Sequence, residues 1–187
     1  MSKGILRSDL VKMVVALTIV GVVSGAVLVF VYNYATPKIK ANVANETEKA
    51  IKNIFPDLAS IEKSKDKDVF IIKGKDGTVK AYAFIAAGNG YQGTIKLIAG
   101  IDTGLTKLEG MEVLESQETP GLGAEIASPD FRGQFQGLSL THPIEYVKNK
   151  KPEKPCQIEA ITGATISSRA VVRILNKKIA EMRKVLK

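Results

Sequence analysis

The chain has one cysteine (Cys156), one histidine (His142) and no tryptophan among its 187 residues. A single cysteine excludes a disulfide framework, a CxxC redox pair and a cysteine-ligated iron–sulfur or zinc site. Beside Pro155, Cys156 reads as a small buried residue. A single histidine followed by Pro143 reads as a loop position, since a metal site needs companion ligands. No metal site and no catalytic side chain is assigned. Aromatic residues make up only 6% of the chain and do not interleave with the basic ones, so a base-stacking surface is missing and nucleic acid is not an expected partner. There is no glycine fingerprint for a nicotinamide dinucleotide, no internal repeat and no low-complexity segment.

The net charge of +8 is unevenly spread. Lys148, Lys150, Lys151 and Lys154 form one cluster, and Arg169, Arg173, Lys177, Lys178, Arg183, Lys184 and Lys187 belong to the C-terminal helical pattern. The middle is acidic, with Asp102, Glu109, Glu112, Glu115, Glu118, Glu125 and Asp130 against Lys96, Lys107 and Arg132. The basic excess therefore belongs to the edges of the chain.

What the chain does have is one long run without charge, from Met13 to Thr36. Its 24 residues suffice to cross a hydrocarbon core of about 30 Å as a helix, and exceed the apolar region of a cleavable signal peptide. The expected organisation is a short tail over 1–12, a transmembrane helix over 13–36 and one domain over 37–187. Tyr32 and Tyr34 suit the headgroup layer at the end of the span. Gly21 and Gly25 form a GxxxG spacing, which reads either as a face for another helix or as ordinary glycine content. Lys3, Arg7 and Lys12 precede the span while Lys38, Lys40, Lys49 and Lys52 follow it, so the positive-inside count does not decide orientation.

After Pro37, Ile39, Val43, Ala50, Ile51 and Ile54 recur at helical spacing, and Pro56 ends the pattern. Val69 to Ile72 and Thr78 to Ala87 read as strands joined by a hairpin, and Gly93 to Ile101 and Leu105 to Leu114 as a second pair. Glu118 to Gly137 is glycine-rich and predicts a loop with one or two short helical turns. A short strand over Gln157 to Ile161 leads to an amphipathic helix over Ile166 to Leu186, with Val171, Ile174, Leu175, Ile179, Met182 and Leu186 on one face. The expected fold class is α+β, with a mainly antiparallel sheet flanked by helices.

Thr162-Gly163-Ala164-Thr165-Ile166-Ser167-Ser168 lies where this last strand meets the helix. On local pattern alone it is a helix start, with Thr162 or Thr165 available as the N-cap. The same geometry suits a phosphate, because free N–H groups and the positive end of the helix dipole lie there. Gly163 and Ala164 leave room beside the Thr165 hydroxyl.

At these residues the sequence resembles the FMN-binding domain shared by the G subunit of Rnf complexes and the C subunit of the sodium-pumping NADH:quinone oxidoreductase. In that family a flavin transferase reads D-x-x-[S/T]-G-A-T and moves FMN from FAD to the last threonine; the matching residues are Glu159, Thr162, Gly163, Ala164 and Thr165. Glu159 replaces the usual Asp, keeping the charge on a longer arm. The resemblance also covers Gly90-Tyr91-Gln92-Gly93, Glu118-Thr119-Pro120-Gly121-Leu122-Gly123 and Ser167-Ser168-Arg169-Ala170-Val171, in order. The short N-terminus and the TGAT-x-SS-x-AV form look more like the Rnf G subunit.

The resemblance implies a non-autonomous electron-carrying subunit with covalent FMN on Thr165, partnered by the other subunits of a membrane complex. It implies single-pass residence in the cell membrane with the domain on the extracytoplasmic side. Since the linkage leaves the flavin ring unaltered, tuning falls to ring contacts, for which the Glu118 to Gly123 loop (Glu118, Thr119, Gly121, Leu122, Gly123) and the Gly90 to Gly93 segment with Tyr91 are the candidates. Their glycines read equally as turn residues. The C subunit of the quinone reductase and a non-redox anchored assembly or envelope module are the alternatives.

Overall fold

The computed structural model describes residues 2–64 and 68–185; Leu186 and Lys187, expected at the end of the last helix, lie outside the described residues. Two compact units are present, Met1–Asn45 and Glu46–Lys187.

The first unit belongs to helix α1, Ser2–Ile54. Apolar side chains point outward all round it, from Val14, Leu17 and Ile19 to Val27, Leu28, Phe30 and Val31, and all are exposed. A helix of this length and composition can cross a membrane. Hydroxyls within the stretch are turned onto the helix itself, Thr18 donating to the Val14 carbonyl at 2.8 Å and Thr36 to Tyr32 at 2.6 Å. Lys38 lies 4.0 Å from the centre of the Tyr34 ring and donates to its hydroxyl at 2.6 Å. The sequence divides the helical pattern at Pro37, whereas α1 runs through it. Proline removes one backbone donor, and strong helical sequence on both sides carries the helix past that loss.

The second unit is built on a five-stranded antiparallel meander: β1 (Ser60–Lys63), β2 (Val69–Lys73), β3 (Val79–Asn89), β4 (Thr94–Asp102) and β5 (Leu108–Ser116), in that spatial order. Alternation sends Phe70, Ile72, Ala81, Ala83 and Ile98 to one face, where Ala50 and Ile51 of α1 cover them. The other face carries Val69, Phe84, Ala86, Ile95, Leu97, Ala99 and Ile101. On it lie α3 (Thr165–Val185), through Val171, Ile174, Leu175, Ile179 and Met182, and α2 (Pro129–Gly133), through Phe131. A 3-10 turn over Gly123–Ala127 adds Ile126 to the same core.

Three boundaries depart from the sequence reading. β1 was not expected, since three of its four residues are exposed and no apolar alternation marks it. β5 begins at Leu108 rather than Leu105, because the carboxylate of Asp102 accepts from Thr106 and Lys107 N–H, both at 2.7 Å, closing a turn with Leu105 at φ 56°. A short parallel pair, β6 (Glu145–Val147) and β7 (Gln157–Glu159), stands apart from the main sheet. Two side-chain amides bind like strand partners beside it. Gln134 accepts from Glu159 N–H and donates to its carbonyl, and Asn176 does the same for Ile144. This packing fixes the strand that delivers the chain to α3.

Candidate functional site

β7 is followed by a tight turn over Ile161–Ala164, in which Ala164 N–H donates to the Ile161 carbonyl at 3.0 Å. Its third residue is Gly163 at φ 82°, as a type II turn requires. A second turn of the same kind runs over Thr119–Leu122, with Pro120 second, Gly121 at φ 72° third, and Leu122 N–H donating to Thr119 at 3.2 Å. The two turns meet: a Cβ on Gly163 would lie 3.4 Å from the Leu122 side chain. Leu122 thus rests on the turn that opens α3.

α3 begins at Thr165, and the first helical bond runs from Ser168 N–H to the Ala164 carbonyl at 3.0 Å. Ala164 is therefore the N-cap, which corrects the expectation of Thr162 or Thr165 in that role. A methyl group cannot accept from the N–H groups of the first turn, and alanine is among the poorest capping residues. The Ser168 hydroxyl is engaged behind the turn, accepting from Ile161 N–H at 3.0 Å and donating to the Ala164 carbonyl at 3.1 Å. Thr165 stands on the first turn, partly exposed, in a helix start that local side chains leave open.

These elements surround a cavity of about 440 Å³ lined by Tyr91, Glu118, Thr119, Leu122, Gly123, Gly163, Ala164, Thr165, Ile166 and Ser167. Its rim is apolar and accessible: Tyr91 is 69% exposed, Leu122 49% and Ile166 45%. Its floor is polar. Glu118 is only 6% exposed; one oxygen accepts from Tyr91 and Gln92 N–H at 2.8 and 3.0 Å, and the other from the Ser167 hydroxyl at 2.5 Å. Burial pushes this carboxyl upward, but the Ser167 hydroxyl and the N–H groups of Gln92, Tyr91 and Gly93 outweigh it and hold the pKa below the ordinary carboxylate value. The Thr119 hydroxyl donates to the Gln92 side chain at 2.6 Å, tying the two loops together again.

Of the residues singled out in the sequence, the cavity gathers Thr165, Gly163, Ala164, Glu118, Thr119, Leu122, Gly123 and Tyr91. Thr162 and Gly121 lie outside its lining and serve the two turns. Glu159 sits on β7, its backbone held by Gln134. The sequence offers Gln92 only as part of the Gly90 to Gly93 segment, and gives no role to the Ile166 side chain or to Ser167 in the wall. For Ser167 the one available signal is a hydroxyl on the inward side of an amphipathic helix, where burial demands a partner. Among the described residues no group of His, Cys, Asp and Glu could hold a metal ion.

The sequence profile of the FMN-binding domain matches residues 90–180, the stretch that contributes every residue lining the cavity. The chain is 33% identical to the G subunit of the ion-translocating oxidoreductase complex of Methanosarcina acetivorans, over 91% of this chain and 93% of that one. It is 30% identical to the G subunit of the proton-translocating ferredoxin:NAD(+) oxidoreductase complex of Clostridium ljungdahlii, over 89% and 88%. Among solved structures, the C subunit of the Na(+)-translocating NADH-quinone reductase of Parabacteroides distasonis superimposes with a TM-score of 0.56 at 29% identity, covering 64% of this chain and 62% of that one.

Proposed function

The chain belongs to the family of the G subunits of ion-translocating oxidoreductase complexes, and from that premise we propose that it carries FMN as a phosphoester on Thr165 within a ferredoxin:NAD+ oxidoreductase of the Rnf type. Family membership itself makes it an electron-transfer flavoprotein subunit with an FMN-binding domain.

The observation that carries the covalent site is the position of Thr165: first turn of α3, in the lining of the cavity, with Ala164 at the N-cap. The residues fit the group. A helix start with no side-chain cap suits a phosphate, Gly163 and Ala164 leave space around the ester, and an apolar rim suits a flat aromatic ring. Bound there, FMN would supply the redox chemistry that no side chain of this protein offers. Thr165 Oγ supplies the ester oxygen: the new bond is Oγ–P, the bond broken is the anhydride of FAD, AMP leaves, and the hydroxyl proton is lost. That exchange needs a flavin transferase as partner. The first-turn N–H groups then stabilise the remaining phosphate charge.

In this reading residues 13–36 anchor the protein in the cell membrane by a single pass, residues 1–12 precede the span, and residues 37–187 form the domain on the extracytoplasmic side. Its partners are the other subunits of the complex, between which it passes electrons. The likeness to the C subunit of the quinone reductase supports a second assignment, but the G subunits match over most of both chains and the C subunit over a shorter part.

Intact-mass measurement of the full chain co-expressed with a flavin transferase tests the site. The wild-type chain gains the mass of FMN less one water, and Thr165→Ala gains none. A wild-type chain left unmodified, or a Thr165→Ala chain that still carries flavin, overturns the assignment.

A further inference from the structure

Glu118 lines the cavity, yet both of its oxygens are committed to the protein. One accepts from the turn that joins β3 to β4, at Tyr91 and Gln92, and the other from Ser167 on the first turn of α3. The two segments are far apart in sequence, and this carboxylate ties them together. The glycines on either side make room for it. A Cβ on Gly90 would overlap one carboxylate oxygen, and a Cβ on Gly123 would lie 2.6 Å from the other and 2.6 Å from the Ser167 hydroxyl. Neither approach is tolerable for real atoms, so Gly90 and Gly123 are explained by the carboxylate they flank.

A tie of this shape does not require a charge. Glutamine at position 118 would offer an oxygen to Tyr91 and Gln92 N–H, and its amide could donate to Ser167, whose hydroxyl accepts as readily as it donates. Burying a carboxylate instead carries a desolvation cost that a neutral amide avoids. The charge also lies in the wall of the cavity that holds Thr165. Among the residues lining that cavity, Tyr91 is the only other titratable group, so no cation there cancels it.

We propose that Glu118 is the positioning residue of this site, fixing the first turn of α3 against the residue 90–93 turn through Ser167, and that its charge lowers the potential of the flavin carried on Thr165. The inference rests on the flavin reading above. A fixed negative charge in a poorly solvated wall opposes added electrons, so the flavin beside it is harder to reduce.

Two variants of the full chain separate shape from charge. Glu118→Gln keeps the bonds and removes the charge: slow exchange of the Tyr91 and Gln92 amide hydrogens is retained, and the midpoint potential of the flavinylated protein rises. Glu118→Ala removes both: those amides exchange at least about tenfold faster, and flavin loading at Thr165 slows. A flavinylated Glu118→Gln protein with the wild-type potential overturns the charge role, and unchanged amide exchange in Glu118→Ala overturns the positioning role. Amide exchange is read on chains made without the transferase. If wild-type Thr165 accepts no flavin, the attachment reading and the charge role fall together, while the exchange data still decide whether Glu118 ties the two segments.

Discussion

Helices α1 and α3 meet their surroundings in opposite ways. Over 13–36, α1 has apolar side chains on every face and buries none of them within the structure, as suits a helix long and apolar enough to cross a membrane. α3 is amphipathic: one stripe is sealed against the sheet, Arg169, Arg173 and Lys177 face outward, and the first turn opens on a cavity. The function of the first helix is therefore written in its composition. That of the second depends on what the rest of the fold places around its first turn.

Charge placed on the two helices should break the comparison most visibly. Aspartate at both Val22 and Val23 costs about 5–7 kcal/mol of insertion free energy, at about 2.5–3.5 kcal/mol per charged residue near the centre of a span. The double variant is expected in the carbonate-soluble fraction of membranes, whereas Ala180→Asp on the exposed face of α3 stays membrane-bound and changes domain stability by less than about 0.5 kcal/mol. Truncation reverses the ranking. Leu175 of α3 is fully buried while Leu28 of α1 is 70% exposed, so Leu175→Ala should lose about 2–5 kcal/mol in denaturant unfolding of the domain and Leu28→Ala almost nothing.

A smaller effect sharpens the account of the site. Gly163 has φ 82°, a conformation that costs an L-residue about 1–2 kcal/mol. Gly163→Ala should destabilise the domain by that amount in thermal unfolding and slow flavin loading at Thr165. Gly133, with open space where a Cβ would go and no positive φ, should accept alanine without loss.

How far these features were legible in the sequence follows from their physical origin. The span was legible as an unbroken apolar run, and strands β2 to β4 and the α3 stripe because burial on one face imposes a period, which survives in a linear string. β1 and β6 were not: one is an exposed edge, the other three residues long, and neither needs an apolar pattern to form. At the site, Thr165 and its neighbours stood out as a motif, and the glycines around positions 90 and 120 as turn formers. What could not be read is that Gly90 and Gly123 flank one carboxylate, or that Ser167 completes it. Those facts depend on the distance between two segments that only the folded sheet brings together.

The acid side of the stability profile gives the smallest effect. Glu118 has its folded pKa below the ordinary value, so it contributes stability while both folded and unfolded chains are ionised at that position. As pH falls, the unfolded chain takes up its proton first, and the contribution declines until it is gone below the folded pKa. Other carboxylates behave alike: Asp76, exposed and bonded to Thr78, is lowered to about 2, and Asp102 and Glu145 are lowered as well, so the wild-type acid limb alone identifies no residue. The difference between wild type and Glu118→Gln isolates one. Unfolding measured from neutral pH downward should show the difference between wild type and Glu118→Gln constant at first, moving against the wild type through the ordinary carboxylate range, and level again in stronger acid. A gap that stays constant down to pH below that range would mean Glu118 titrates alike in both states, and that its bonds to Tyr91, Gln92 and Ser167 add nothing specific to the charged form.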